Sequence, residues 1–358
     1  METTLTQFDK KKSENFADKL LSIINGGPLS LMISIGHRTR LFDTLGDLGK
    51  ANLQVIADKA KLNKRYVKEW LGAMVTGRII EYDSMNETFF LPPEHTAWLT
   101  RKAGSNNIAV FGQYTSVLGG VEDEIVKCFK NGGGVPYEKF HRFHEVMAED
   151  SGLSVGTALF EHILPLEPGI NQKLEHGITV LDIGCGSGRT INMMAEAFPK
   201  SSFTGIDLCE EPILKARFEA NEKGNTNVWF ETADLTHYEP DNQYDLITAF
   251  DAIHDQARPD KVLKTIFKSL KDDGIFLMQD IYGHSHLEKN MDHPLASMLY
   301  AISTMHCMTV SLAQNGMGLG TMWGVDTAEK MLKQAGFNHV KMHKLDHDIQ
   351  NAYFIVKK

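Results

Sequence analysis

The segment Val180-Leu181-Asp182-Ile183-Gly184-Cys185-Gly186-Ser187-Gly188 constrains this chain more than any other. Its front half reads as a buried strand. Its alternate glycines permit a tight turn into a helix, with no Cβ to hold a ligand off the backbone. Around it the apolar pattern switches repeatedly between strand and helix periods. The pattern predicts strands at 179–185, 203–208, 228–233, 244–252 and 275–281, and helices at 189–198, 211–222 and 261–270. That alternation implies a doubly wound α/β fold with a parallel sheet whose carboxyl ends share one edge. After a helix at 327–334, strands at 340–345 and 352–356 are joined by a connection too short for a crossover, so they pair antiparallel.

Three acids stand where this fold would use them. Asp182 opens the glycine turn, and Asp207 ends the next strand, placed to accept from both hydroxyls of a ribose. Asp234 ends the strand after that and can accept from an adenine amine. The rival ligand is a nicotinamide dinucleotide, which would make the chain an NAD-dependent oxidoreductase. Its fingerprint is G-x-G-x-x-G, whereas here the spacing is G-x-G-x-G and the position of the third glycine holds Arg189. Asp182 also suits an ammonium group better than a pyrophosphate.

The front third reads as helical. Leu20, Leu21, Ile23 and Ile24 form an apolar stripe that should end at Gly26-Gly27-Pro28, and a second helix should run from about Ser30 to Leu48. Asn52 and Asn63 are placed to cap two short helices, and 79–82 and 88–91 can pair across a turn. Two helices and a hairpin make a winged-helix pattern. Its second helix begins Lys64, Arg65, Lys68, with Tyr66, Val67, Trp70, Leu71 and Val75 as the expected core stripe. Residues 100–176 read as further helices, with a domain boundary expected at 166/167.

The net charge of −9 falls entirely within residues 161–358, and the front 160 residues are neutral. There is thus no broad basic footprint for nucleic acid or an anionic membrane. Cys128, Cys185, Cys209 and Cys307 are too widely spaced for a metal knuckle or a disulfide framework, as expected in a reducing, cytoplasmic setting. The opening METTLTQFDKKK lacks the apolar run of a signal peptide, and no membrane span is expected.

The glycine segment resembles motif I of class I S-adenosylmethionine-dependent methyltransferases, and the reversed final strand pair is similar to that fold's end. The resemblance implies a seven-stranded Rossmann-like methyltransferase sheet over 167–358, with an N-terminal helical winged-helix domain over 1–166. It implies S-adenosyl-L-methionine as cofactor. Asp182 would hold the methionine part, Gly184, Gly186 and Gly188 would form the loop against it, Asp207 would bind ribose and Asp234 adenine. Leu208, Leu235 and Phe250 would lie beside them. The whole chain resembles winged-helix small-molecule methyltransferases, including plant phenol O-methyltransferases. The mycobacterial-type members share the patterns Phe250-Asp251-Ala252-Ile253-His254-Asp255-Gln256 and Ser303-Thr304-Met305-His306-Cys307-Met308-Thr309. In such proteins the front domain serves homodimerisation and covers the acceptor.

For methyl transfer to a hydroxyl, a base with a pKa near neutrality is needed, and His254 follows the fourth strand directly. His254-Asp255 matches the His-Asp pair of the plant enzymes, with Asp255 orienting, although Gln256 replaces their tryptophan. A thiol or thioether acceptor is the rival within the class. The stretch Tyr282–Val325 is too long for a connector and reads as a lid or wall. His284, His306 and Trp323 within it, and Phe111, Tyr114 and His141 or His144 from the front, are candidate acceptor contacts. His284-x-His286 suggests no metal site, because residues alternating on a strand face opposite ways. A DNA-binding regulator is the other alternative, resting on the basic start of the helix at Lys64.

Overall fold

A computed structural model describes residues 8–239, 243–346 and 348–358. The first seven residues of the polar N-terminus therefore lie outside the described residues. The chain forms two compact units that divide between Ser116 and Val117, fifty residues before the expected boundary.

In the first unit, α1 (Lys10–Arg38) runs straight through Gly26-Gly27-Pro28 instead of stopping there. Asp9 caps its start, and its second half is fixed by Trp70 Nε1 donating to Met32 O at 2.8 Å and by Gly36, which packs against the Trp70 and Phe42 rings. With that anchor formed, the Gly-Gly-Pro step sits on the exposed part, where water can take the carbonyl that proline leaves unpaired. The expected second helix is the end of α1, a left-handed Arg40 (φ 59°), and α2 (Leu41–Leu48). Then come β1 (Ala51–Asn52), α3 (Leu53–Ala60), α4 (Lys64–Thr76), β2 (Glu81–Asp83), β3 (Thr88–Phe90) and α5 (Pro93–Leu99). Asn52 accepts from Val55 N and Asn63 from Arg65 N, the two expected caps. The hairpin gains a third strand, β1, which two residues of sequence do not announce.

Of the expected α4 stripe, Val67, Trp70 and Leu71 are buried, but Tyr66 is 80% exposed, because it projects from the side that carries Arg65. On α1 the stripe Leu20, Leu21, Ile23 and Ile24 is exposed as well.

Helix α6 (Gly112–Gly119) contains the division between units. The second unit continues with α7 (Glu122–Asn131), α8 (Phe143–Ala158), α9 (Ile170–His176) and β4 (Thr179–Ile183). Alternation follows: α10 (Arg189–Ala197), β5 (Ser202–Asp207), α11 (Glu210–Lys223), β6 (Val228–Thr232), β7 (Tyr244–Phe250), α12 (Pro259–Ser269) and β8 (Leu270–Ile281). The expected lid is folded, as α13 (Ala296–Ile302), a π-turn at Ser303–Cys307 and α14 (Met308–Ala313), before α15 (Val325–Ala335), β9 (His339–His343) and β10 (Asn351–Lys357).

The sheet has seven strands in the order β6-β5-β4-β7-β8-β10-β9. β4 to β8 pair parallel, and β10 runs antiparallel between β8 and β9. Successive side chains alternate between two cores. Leu181 and Ile183 of β4 and Phe276 and Met278 of β8 enter one; Val180, Ile275 and Leu277 enter the other. Burial on both faces is why these strands read as continuous apolar runs. The order reverses at β4/β7, opening a crevice at the carboxyl edge.

By length and apolar composition, α1 and the stretch Ala296–Ala313 could each cross a membrane. The second holds the buried polar side chains Ser303, His306, Thr309 and Ser311, which belong to the protein interior.

Candidate active site

The parallel strands deliver their acids to one place. A pocket in the second unit is lined by Asp182, Asp207, Asp234, Asp251 and Asp255, by the glycine turn, and by Leu208, Leu235 and Phe250. Arg189 is the one guanidinium or ammonium among its lining residues. Such a pocket suits a ligand with more than one cationic centre and a single anionic end.

The glycines divide their work. Gly186 has φ 52° and open space where a Cβ would stand, so a ligand can lie on its backbone. Gly188 has φ 67°, and a Cβ there would strike Ala216 and the Phe230 ring. It is a helix-on-sheet packing residue and does not line the pocket. At Gly184 the Cβ would meet Ala252 from the loop that follows β7.

Asp207 accepts from Gly186 N and Cys209 N, both at 2.9 Å, and so ties the glycine turn to the end of β5. Asp234 accepts from Thr236 N at 2.8 Å and faces His237 Nδ1 at 2.9 Å, half exposed. Asp182 is different. It is 3% exposed, with Thr248 Oγ1 at 2.6 Å. Burial pushes its carboxyl up to about 7, against the hydroxyl's hydrogen bond and with some help from Asp207.

The other half of the carboxyl edge is closed. His254 is 3% exposed, its Nδ1 lies 2.8 Å from Asp280 Oδ1, and it is not among the pocket's lining residues. The same Asp280 oxygen accepts from Trp323 Nε1 at 3.0 Å and from Ile281 N at 2.8 Å. Burial depresses His254, but the Asp280 carboxylate and Cys307 outweigh it and hold the imidazole well above its usual range. Gln279 Nε2 donates to Asp251 Oδ2 at 2.9 Å, and burial beside Asp280 lifts Asp251 to about 8. Asp251, His254 and Asp280 offer ligand atoms within 4.8 Å of one another; the hydrogen bonds just named use Asp280 Oδ1, while Asp280 Oδ2 and Asp251 Oδ1 are buried without a hydrogen-bond partner among the described residues.

Asp255 faces the pocket instead, and accepts from the Tyr137 hydroxyl. Gln256, at the tryptophan position of the plant pattern, also lines the pocket and donates to Ala252 O at 2.8 Å. Tyr137, Phe143, His144 and Met147 supply a wall that the sequence did not suggest, apart from His144. The Tyr137 and His144 rings are 5.6 Å apart and nearly parallel. Behind them His306 stacks on Phe143 at 3.4 Å, edge-on to Tyr137 and Phe140. His306 is 1% exposed, and neither of its ring nitrogens has a hydrogen-bond partner among the described residues.

The remaining candidate contacts lie elsewhere. His284 faces Asp326 at 3.2 Å, Trp323 is a core residue behind Asp280, and His141 is exposed; none of the three lines the pocket. Phe111 and Tyr114 belong to the first unit, where their rings stack 6.5 Å apart.

Residues 27–101 match an Rv2258c-like winged HTH domain, and residues 174–316 match a methyltransferase domain. Among solved structures, the chain is similar to the human N-acetylserotonin methyltransferase determined with SAM, at 17% identity, TM-score 0.67, covering 100% of this chain and 99% of that one. The mitomycin 7-O-methyltransferase MmcR is similar at 13% identity, TM-score 0.70, covering 98% and 100%. These likenesses are of fold. Among curated proteins, the (S)-coclaurine N-methyltransferase of Papaver somniferum is 32% identical over 30% of this chain and 31% of its own length. The chain spans between about a third and about a half of the length of the curated relatives it matches.

Proposed function

We infer, from a winged helix-turn-helix domain joined to a class I methyltransferase domain, that this chain is an S-adenosylmethionine-dependent methyltransferase acting on a small molecule. The observation that carries the reading is that the glycine turn, Asp182, Asp207 and Asp234 line one and the same pocket. The residues present fit that cofactor. Asp182, buried and with no cation against it among the described residues, would take the ammonium, and the open side of Gly186 would admit the chain that follows. Asp207 keeps lone pairs for ribose hydroxyls, and Asp234 stands at the adenine end between Leu208 and Leu235. Arg189 would meet the cofactor's carboxylate. When bound, the cofactor supplies an electrophilic methyl on a sulfonium. The protein's share is orientation and removal of the acceptor's proton.

A hydroxyl is the acceptor we favour, because carboxyl groups ready to take a proton lie in the pocket wall. Relatives that carry both O- and N-methyltransferase names make an amine the next choice. Calorimetry against S-adenosylhomocysteine and NAD tests the central claim. Micromolar binding of the first and none of the second is expected, and the reverse would refute it. We propose also that a second copy covers the apolar stripe of α1. Leu21→Glu with Ile24→Glu should then halve the mass found by sedimentation. An unchanged monomeric mass in both proteins would end that idea.

A further inference from the structure

We propose that Asp255, steadied by Tyr137, is the group that receives the acceptor's proton, and that His254 is a positioning residue behind it. The proposal rests on the methyl-transfer reading above and moves the base one residue along the chain.

The geometry separates the two neighbours. Asp255 and Tyr137 line the same pocket as the glycine turn, and His254 does not. His254 is bonded to Asp280 and has the Cys307 thiol as a further partner, so its hydrogen bonds are spent inside the protein. Asp255 gives only Oδ2 to Tyr137, and its Oδ1 accepts no hydrogen bond among the described residues. Tyr137 is a rigid support. Its ring lies between His144, 5.6 Å away and nearly parallel, and His306, edge-on at 5.2 Å. Burial and the Asp255 carboxylate push its phenol well up, so it remains a donor wherever the enzyme works.

The protonation chemistry agrees. Burial raises the Asp255 carboxyl to about 6, opposed by His254 and by the Tyr137 hydrogen bond. Such a group is ionised at neutral pH and still basic enough to take a proton in the transition state. The titratable groups that feel its charge or act on it are Tyr137, His254, Asp207, Asp280, Cys209 and Cys307. In the step implied, Asp255 takes the hydroxyl proton as the acceptor's oxygen bonds to the transferred methyl. The electron pair of the breaking S–C bond stays on sulfur, and the carboxyl later gives its proton to solvent.

The test uses the full chain. The first readout is the titration of carboxyl-¹³C aspartate by NMR with S-adenosylhomocysteine bound, the Asp255 signal being assigned by its loss in Asp255→Asn. Tyr137→Phe should raise the Asp255 midpoint by about 0.5–1 pH unit, the worth of one hydrogen bond. The second readout is kcat/KM against pH for a panel of phenols and aliphatic alcohols with methyl-labelled S-adenosylmethionine. Its acidic limb should move up with Tyr137→Phe by the same amount, and should also move up without disappearing in His254→Asn, which removes the positive charge that helps to hold Asp255 down. Asp255→Asn should lose roughly 10²–10⁴-fold with S-adenosylhomocysteine affinity kept. A midpoint unmoved by Tyr137→Phe, an Asp255→Asn enzyme within threefold of wild type, or a limb removed by His254→Asn alone would each overturn the proposal. If wild type binds no S-adenosylhomocysteine, the methyl-transfer reading itself fails, which calorimetry reports separately.

Discussion

The two halves of one sheet edge hold their acids in opposite ways. On the β4–β6 side, Asp182, Asp207 and Asp234 line the pocket, and Asp207 and Asp234 are held by backbone amides of turns. On the β7–β8 side, His254 and Asp280 are shut into a network with Trp323, and only Asp251 and Asp255 reach the pocket. The same position relative to a parallel sheet therefore does not assign a role. What assigns it is whether the loop after the strand leaves its carboxylate oxygens facing a ligand or spends them on side chains behind the loop.

Replacing Asp280 tests the closed half and should have the largest effect. Asp280→Ala leaves the His254 imidazolium without its counterion and the Trp323 indole N–H without its acceptor. A buried pair broken on one side costs about 3–5 kcal/mol, to be read in urea unfolding. The folded fraction should bind S-adenosylhomocysteine within about threefold of wild type. A large loss of affinity with unchanged stability would move Asp280 into the open half and dissolve the contrast.

Asp207→Ala tests the open half. It removes the acceptor of Gly186 N and Cys209 N together with the expected ribose contacts. Each hydrogen bond to a charged acceptor is worth about 1.5–3 kcal/mol, so affinity for S-adenosylhomocysteine should fall on the order of 100-fold or more. Calorimetry that finds the affinity kept would show that the turn is held by other means.

The contrast was only half visible in the sequence. The open half was legible because its chemistry is local: the glycines, Asp182, Asp207 and Asp234 each stand at or just past the end of a readable strand, and the observed strands agree with expectation to within a few residues, except that β8 begins earlier. The wall opposite was not legible, since it comes from distant segments. Tyr137 meets Asp255 across 118 residues, and Val135 N donates to Thr309 Oγ1 across 174. His254 is the candidate base that sequence offers because position after a strand is visible there, whereas the Asp280 that faces its Nδ1 is not. For the same reason α1 crosses Gly-Gly-Pro unannounced: the Trp70 and Phe42 contacts that fix it belong to tertiary structure.

Asp182 permits the finest test, because it lies in the open half yet is buried like the closed one. Its folded carboxyl is raised from 3.8 to about 7, chiefly by burial. The folded protein therefore binds more protons than the unfolded chain between those values, and this contribution to stability is full below 3.8 and lost as pH rises through about 7. Asp182→Asn cannot ionise, so without ligand it should melt alongside wild type near pH 4 and above it at pH 8. Cofactor binding reverses the preference, since an ammonium group favours the carboxylate. Wild-type affinity for S-adenosylhomocysteine should weaken about tenfold per pH unit below about 7, and the Asp182→Asn profile should be weak and flat. A flat wild-type profile would mean that Asp182 is a structural acid bonded to Thr248, and the line between the two halves would then run through β4 instead of beside it.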